Sequence, residues 1–168
     1  MYKILTLAGG YSNERAISII TAKSVIKELK KIKKYKILLI EPDGSFIKKL
    51  RQFKPDLVLN LLHGRYGEDG YIQSILESEK VKYTHSGVLS SSLAIDKEIS
   101  KKIFMKNKIL TPPYIKFCFK SNLNLKNIIK KVDKLLKFPV VLKPINEGSS
   151  VGIYITEKKN FYKNLFKL

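Results

Sequence analysis

Two short stretches of this chain hold residue types that could do chemistry. The first is His63-Gly-Arg-Tyr-Gly-Glu-Asp-Gly70, which follows directly on the apolar run Leu57–Leu62. It puts His63, Glu68 and Asp69 in a glycine-spaced loop at the C-terminal end of an expected strand, where ligands bind in open α/β sheets. The bland alternative is a glycine-rich turn with a solvated Glu-Asp pair. The second is Lys143, followed by Glu147-Gly-Ser-Ser-Val-Gly152. Successive backbone N–H groups in a glycine–serine turn form an anion-binding concavity, the serine hydroxyls add donors, and a lysine places a point charge on phosphate. The combination fits a nucleoside triphosphate. Its alternative is a hairpin turn rich in small residues.

The elements that must position these loops are legible in the periodicity. Lys3–Ala8 reads as a buried strand and Asn13–Leu29 as a helix. That helix has Ile17, Ile20, Val25, Ile26 and Leu29 as its apolar face, Ser12 as N-cap and Glu14 in its first turn. Strand Tyr35–Ile40 ends at the turn Pro42-Asp-Gly44. Helix Phe46–Phe53, strand Asp56–Leu62, a helix over Tyr71–Glu79 and a short strand Val81–Tyr83 follow. Strand–helix alternation predicts an α/β, three-layer, parallel-sheet domain over residues 1–93. In residues 94–168 the pattern becomes α+β. Lys97–Lys108 is a basic helix and Thr111-Pro-Pro113 a break. A strand Tyr114–Phe119 and a helix Leu123–Leu136 come next. A hairpin of Val140–Lys143 with Val151–Ile155 and a final helix Glu157–Leu168 end the chain.

Composition narrows the class. A formal charge of +19 invites a nucleic-acid partner. However, the excess is lysine, and arginine stands only at positions 15, 51 and 65, whereas base-edge and bidentate phosphate recognition favour arginine. The lysines are spread over expected helix faces, so no nucleic-acid partner is expected. The apolar start of the chain is too short for a membrane span and runs into Gly9-Gly10, unlike a secretory signal. No membrane partner follows, and the cytoplasm is the expected compartment. One cysteine, Cys118, excludes an internal disulfide and any multi-cysteine zinc site. Its expected place is as a small apolar strand residue.

The run His63-Gly-Arg-Tyr-Gly-Glu-Asp-Gly-Tyr-Ile-Gln-Ser74 resembles the signature of D-alanine–D-alanine ligases. Gly9-Gly-Tyr-Ser-Asn-Glu-Arg15 is similar to that family's first substrate loop. Lys143-Pro-Ile-Asn-Glu-Gly-Ser-Ser-Val-Gly152 resembles its phosphate-binding loop, and Tyr83-Thr-His-Ser-Gly-Val88 and Ala94-Ile-Asp-Lys97 also fit, in the family's order. The resemblance implies a Rossmann-like, pre-ATP-grasp domain followed by the first part of an ATP-grasp domain. It also implies ATP-dependent joining of two D-alanines through an acyl phosphate, for peptidoglycan precursor synthesis. It implies that Lys97 and Lys143 contact the ATP phosphates, and that Glu147, Gly148, Ser149 and Ser150 form the loop over them. Ser149 also matches the serine that links this loop to the first substrate region. Glu14 matches the carboxylate that receives the first D-alanine's ammonium, and His63 and Glu68 shape the substrate pocket. For Glu14 a helix-start acid is an alternative, and for Lys97 one more solvated lysine. Family members are commonly dimers through the N-terminal domain, so a homodimer is implied.

Two positions depart from the family: His85 stands where glycine is usual and Ile95 where methionine is common. Family members also continue well beyond this length, with the Mg2+-binding carboxylates and a catalytic arginine in that further part. No metal ligand is therefore expected in residues 1–168, and no turnover from them alone. Two other readings stay open: an ATP-grasp ligase with another second substrate such as D-lactate, and a non-catalytic protein that binds D-alanine or nucleotide.

Overall fold

The computed structural model describes residues 1–118 and 124–168. They divide into two compact units, Met1–Ile95 and Asp96–Leu168.

Unit 1 is built on a parallel sheet in the order β2-β1-β3, with β1 Tyr2–Leu7, β2 Tyr35–Ile40 and β3 Leu57–Asn60. The central strand is buried on both faces from Ile4 to Leu7, as expected when helices cover both. Side chains alternate across a strand, so Leu5 and Leu7 share one face. There they pack with Phe46 and Leu50 of α2 (Phe46–Phe53) and with Ile72 and Leu76 of α3 (Tyr71–Ser78). The opposite face takes α1, Arg15–Leu29. These are the three expected layers.

Helix α1 does not approach the sheet as its pattern predicts. Its buried residues are Ser18 and Ala22, whereas Ile17 is 41% and Ile20 63% exposed. Small residues let the helix backbone come close, and Ser18 then bonds the sheet directly. Its Oγ accepts from Gly9 N at 2.8 Å and donates to Leu61 O at 2.6 Å. Ser12 is not the N-cap either. The helix begins after Glu14, and the Ser12 hydroxyl turns to the His63 carbonyl at 2.7 Å.

Further differences have local causes. Strand β3 is shorter than expected because Asn60, fully buried, draws the chain out of the ladder: its side chain accepts from Leu62 N and donates to Gly67 O. The expected strand Val81–Tyr83 is a single parallel bridge, Val58 to Tyr83. Helix α4, Val88–Ile95, was not foreseen. His85 has φ +88°, a conformation that glycine adopts freely and side chains resist, which gives a physical reason for the glycine expected there from the family resemblance. His85→Gly should therefore stabilise unit 1 by about 1 kcal/mol, measurable by urea unfolding. An unchanged or lowered midpoint would contradict this.

Unit 2 has a second core of Val132, Val140, Leu142, Phe161 and Leu165. Helix α5 covers Lys97–Lys106 and α6 Leu125–Leu135. The antiparallel hairpin joins β4 (Val140–Leu142) to β5 (Tyr154–Thr156). Instead of one last helix, a 3-10 turn Lys158–Asn160 leads into α7, Phe161–Leu165. Tyr114–Cys118 is not a strand: among the described residues no ladder reaches it, and Ile115 and Phe117 pack on the core from irregular chain. Cys118 is exposed, not the buried strand residue expected. Phe119 and Leu123, the outer ends of two expected elements, lie outside the described residues. No helix among the described residues is long and apolar enough to cross a membrane.

Candidate functional site

In unit 1 the chemistry-bearing loops gather at the C-terminal ends of β1 and β3. With order β2-β1-β3, the connections leave β1 in opposite directions. The crevice there is the topological switch point where open α/β sheets bind ligands. Glu14 is only 1% exposed. It sits beside Gly64, whose φ is +67° and whose missing Cβ leaves room for the Glu14 carboxylate. Ser12 ties the two loops together, since it bonds the His63 carbonyl and accepts from Glu14 N at 3.1 Å.

His63 is held from two sides. Its Nε2 lies 3.2 Å from Thr21 Oγ1, and its Nδ1 lies 3.4 Å from Glu68 Oε1. The other Glu68 oxygen accepts from Gly64 N at 3.0 Å. Asp69 accepts from Tyr66 N and Tyr71 N, so it shapes the turn. Beneath the loop, Asn60 Nδ2 and Gln73 Nε2 both donate to the Gly67 carbonyl at 2.9 Å. An adjoining cleft of about 460 Å³ is lined by residues that include Gly9, Gly10, Tyr11, His63, Tyr66 and Tyr71. Glu14 and Glu68 do not line it. Glu14, His63 and Glu68 are thus brought to one end of the sheet, with His63 lining the cleft and facing Glu68.

Sequence reasoning missed the residue that holds the first loop in place. Glu41, at the end of β2, takes a bidentate pair from Arg15 at 2.7 and 2.9 Å and a bond from Gly10 N at 3.0 Å. The only hint was an acid directly before Pro42-Asp-Gly44. The Arg15 hydrogen bond holds the Glu41 carboxyl below its ordinary 4.5, with partial burial opposing. A depressed folded value means that the clamp stabilises above the ordinary carboxylate pH and is lost as pH falls through the folded value. Melting curves of the native chain and Glu41→Gln should therefore differ near neutrality and converge below pH 4.5. Parallel curves at all pH values would refute this.

In unit 2 the second constellation surrounds the turn between β4 and β5. Asp96 caps α5 by accepting from Glu98 N and Ile99 N. That fixes Lys97 in the first turn, facing the loop. Its backbone N donates to Ile145 O at 3.1 Å, and its ammonium donates to Ile145 O and Glu147 O. Lys143 is exposed just past β4, and Glu147 and Gly148 are half-buried. Ser149 and Ser150 are exposed with φ +42° and +65°. Two consecutive left-handed residues curl the backbone tightly, and the turn is closed by Val151 N to Gly148 O at 2.9 Å. Chemically, this is a strained, serine-lined loop with an ammonium bound to its carbonyls and a second ammonium at its root. Strain of this kind persists where function requires it. Among the described residues no group of three or more His, Cys, Asp or Glu could hold a metal ion.

The chain is similar to known proteins along nearly its whole length. A family model described as "D-ala D-ala ligase C-terminus" matches residues 103–168. The D-alanine–D-alanine ligase of Pelagibacter ubique is 63% identical over 97% of this chain, which covers 53% of that protein. Among solved structures, the D-alanine–D-alanine ligase of Bacillus anthracis superposes with a TM-score of 0.80 at 38% identity, over 99% of this chain and 53% of its own. The same ligase complexed with ATP gives a TM-score of 0.76 at 34% identity, over 99% and 54%. The chain spans about half the length of the curated relatives it matches.

Proposed function

We propose, from the premise that this chain belongs to the D-alanine–D-alanine ligase family, that it contributes to ATP-dependent joining of two D-alanines. In this reading unit 1 is the pre-ATP-grasp domain that grips the amino acid, and unit 2 is the first part of an ATP-grasp domain that holds the triphosphate. The observation that carries it is the Lys97 ammonium on the carbonyls of Ile145 and Glu147, which fastens a lysine to a loop whose serines and glycine suit a phosphate.

Glu14 takes the ammonium of the first D-alanine. Its burial strengthens that pairing, because a charge in low dielectric attracts a counter-charge more strongly than in water. His63 and Glu68 set the shape of the amino-acid pocket. Lys97 and Lys143 neutralise phosphate charge, while Glu147, Gly148, Ser149 and Ser150 fold over the terminal phosphate. Phosphoryl transfer depends on such positioning and neutralisation more than on covalent help. The carboxylate of one D-alanine attacks the γ-phosphorus and ADP leaves, giving an acyl phosphate. The amine of a second D-alanine then displaces inorganic phosphate. The family also uses Mg2+. The described residues form no donor set that fits it, and it takes no part in the roles assigned here. The reaction supplies peptidoglycan precursors, which places the protein in the cytoplasm, and the exposed Ile17 and Ile20 suit a homodimer contact through unit 1.

Residue-resolved NMR tests both halves on the chain itself. D-Alanine should shift the amides of Ser12, His63 and Gly64, and Glu14→Gln should remove those shifts. ATP should shift Gly148 to Gly152. Unmoved amides in both loops, or D-alanine shifts indifferent to Glu14→Gln, would overturn the reading.

A further inference from the structure

We infer that Lys101 is a positioning residue of the triphosphate site, acting through its charge beside Lys97 and Lys143. The inference rests on the nucleotide reading above and adds a residue to it.

Helix neighbours four apart lie on one face, so Lys101 stands one turn above Lys97. The lower turn is fastened to the phosphate loop, since Lys97 bonds Ile145 and Glu147. The upper turn is fastened to the chain after α5. The Lys101 ammonium donates to Thr111 Oγ1 and Pro112 O, each at 2.7 Å, and lies 5.5 Å from the centre of the Tyr114 ring. These partners are neutral, and among the described residues neither Lys101 nor Lys143 forms a salt bridge. Elsewhere on the same helix, lysine charge is matched: Lys102 and Lys116 both pair with Glu98. The Lys101 ammonium is held below its ordinary value, first by burial and then by Lys143, so the two charges act on each other. Glu98, the acid three residues before Lys101 on this helix, is already paired with Lys102 and Lys116, so a cation fixed near another cation is stabilised by an incoming anion. The anion that suits the adjoining loop is a polyphosphate.

The test compares the native chain with Lys101→Met, Lys101→Arg and, as a control, Lys48→Met on the exposed side of α2. ATP and inorganic triphosphate are each titrated by calorimetry at several salt concentrations, and each variant is melted. Lys101→Met should weaken both ligands about fivefold and flatten the salt dependence, whereas Lys101→Arg and Lys48→Met should bind within twofold of native. Native-like binding by Lys101→Met overturns the inference. So does equal loss in Lys101→Arg and Lys101→Met, which would mean that the bonds to Thr111 and Pro112 matter and the charge does not. Native binding of triphosphate but not ATP would overturn the nucleotide reading and leave Lys101 standing. Native binding of neither would overturn both.

Discussion

Gly67→Ala should cost unit 1 about 3 kcal/mol, the sum expected from overpacking and from loosening two buried amide bonds. A Cβ at this position would press on the Cβ of Leu62 and lie 3.0 Å from its backbone carbonyl carbon. Leu62 is buried and its backbone cannot rotate away as a side-chain tip could. The loop would have to lift, and with it the Gly67 carbonyl that Asn60 and Gln73 both bond. For a unit of this size that corresponds to a melting temperature lowered by roughly 12–24 °C. Gly44→Ala is the matched control, because nothing lies within 4 Å of a Cβ there. If both variants melted together, the glycine would not be what fits the His63–Gly70 loop to the sheet.

The second large effect separates the two lysines of the proposed phosphate loop. Lys97→Met removes a charge and also frees the carbonyls of Ile145 and Glu147. Lys143→Met removes an exposed charge at the loop's root. Both should weaken ATP about 10- to 100-fold, the range for charge-assisted bonds to phosphate. Only Lys97→Met should also lower the melting temperature of unit 2. Equal stability in both variants would show that the Lys97 bonds do not hold the loop.

The parts of this fold that periodicity reveals are those where one strong pattern acts alone. Strand Tyr35–Ile40 and helix Phe46–Phe53 fall as expected, since each is an apolar or amphipathic run bounded by turn residues. The candidate loops stand out for a different reason: they carry the runs that resemble the ligase family, whereas glycines and titratable residues after an apolar strand also suit a plain turn. What the sequence hides is decided by partners distant in the chain. Helix α1 buries Ser18 rather than Ile17 because Gly9 and Leu61 offer its hydroxyl two bonds. Ser12 leaves the cap because His63, 51 residues away, supplies a better acceptor. Glu41 becomes a clamp only once β2 lies beside β1 and Arg15 comes within reach. Tyr114–Cys118 has a strand's composition, but composition does not supply a neighbour to pair with.

The central claim is that the turn between β4 and β5, with Lys97 and Lys143, is a triphosphate pocket. Calorimetric titration of ATP into the native chain and into Lys143→Met tests it most directly. Saturable one-to-one binding, weakened at least tenfold in the variant with no change in melting temperature, is the expected result. Absence of saturable binding to the native chain, or identical isotherms for the two proteins, would contradict it.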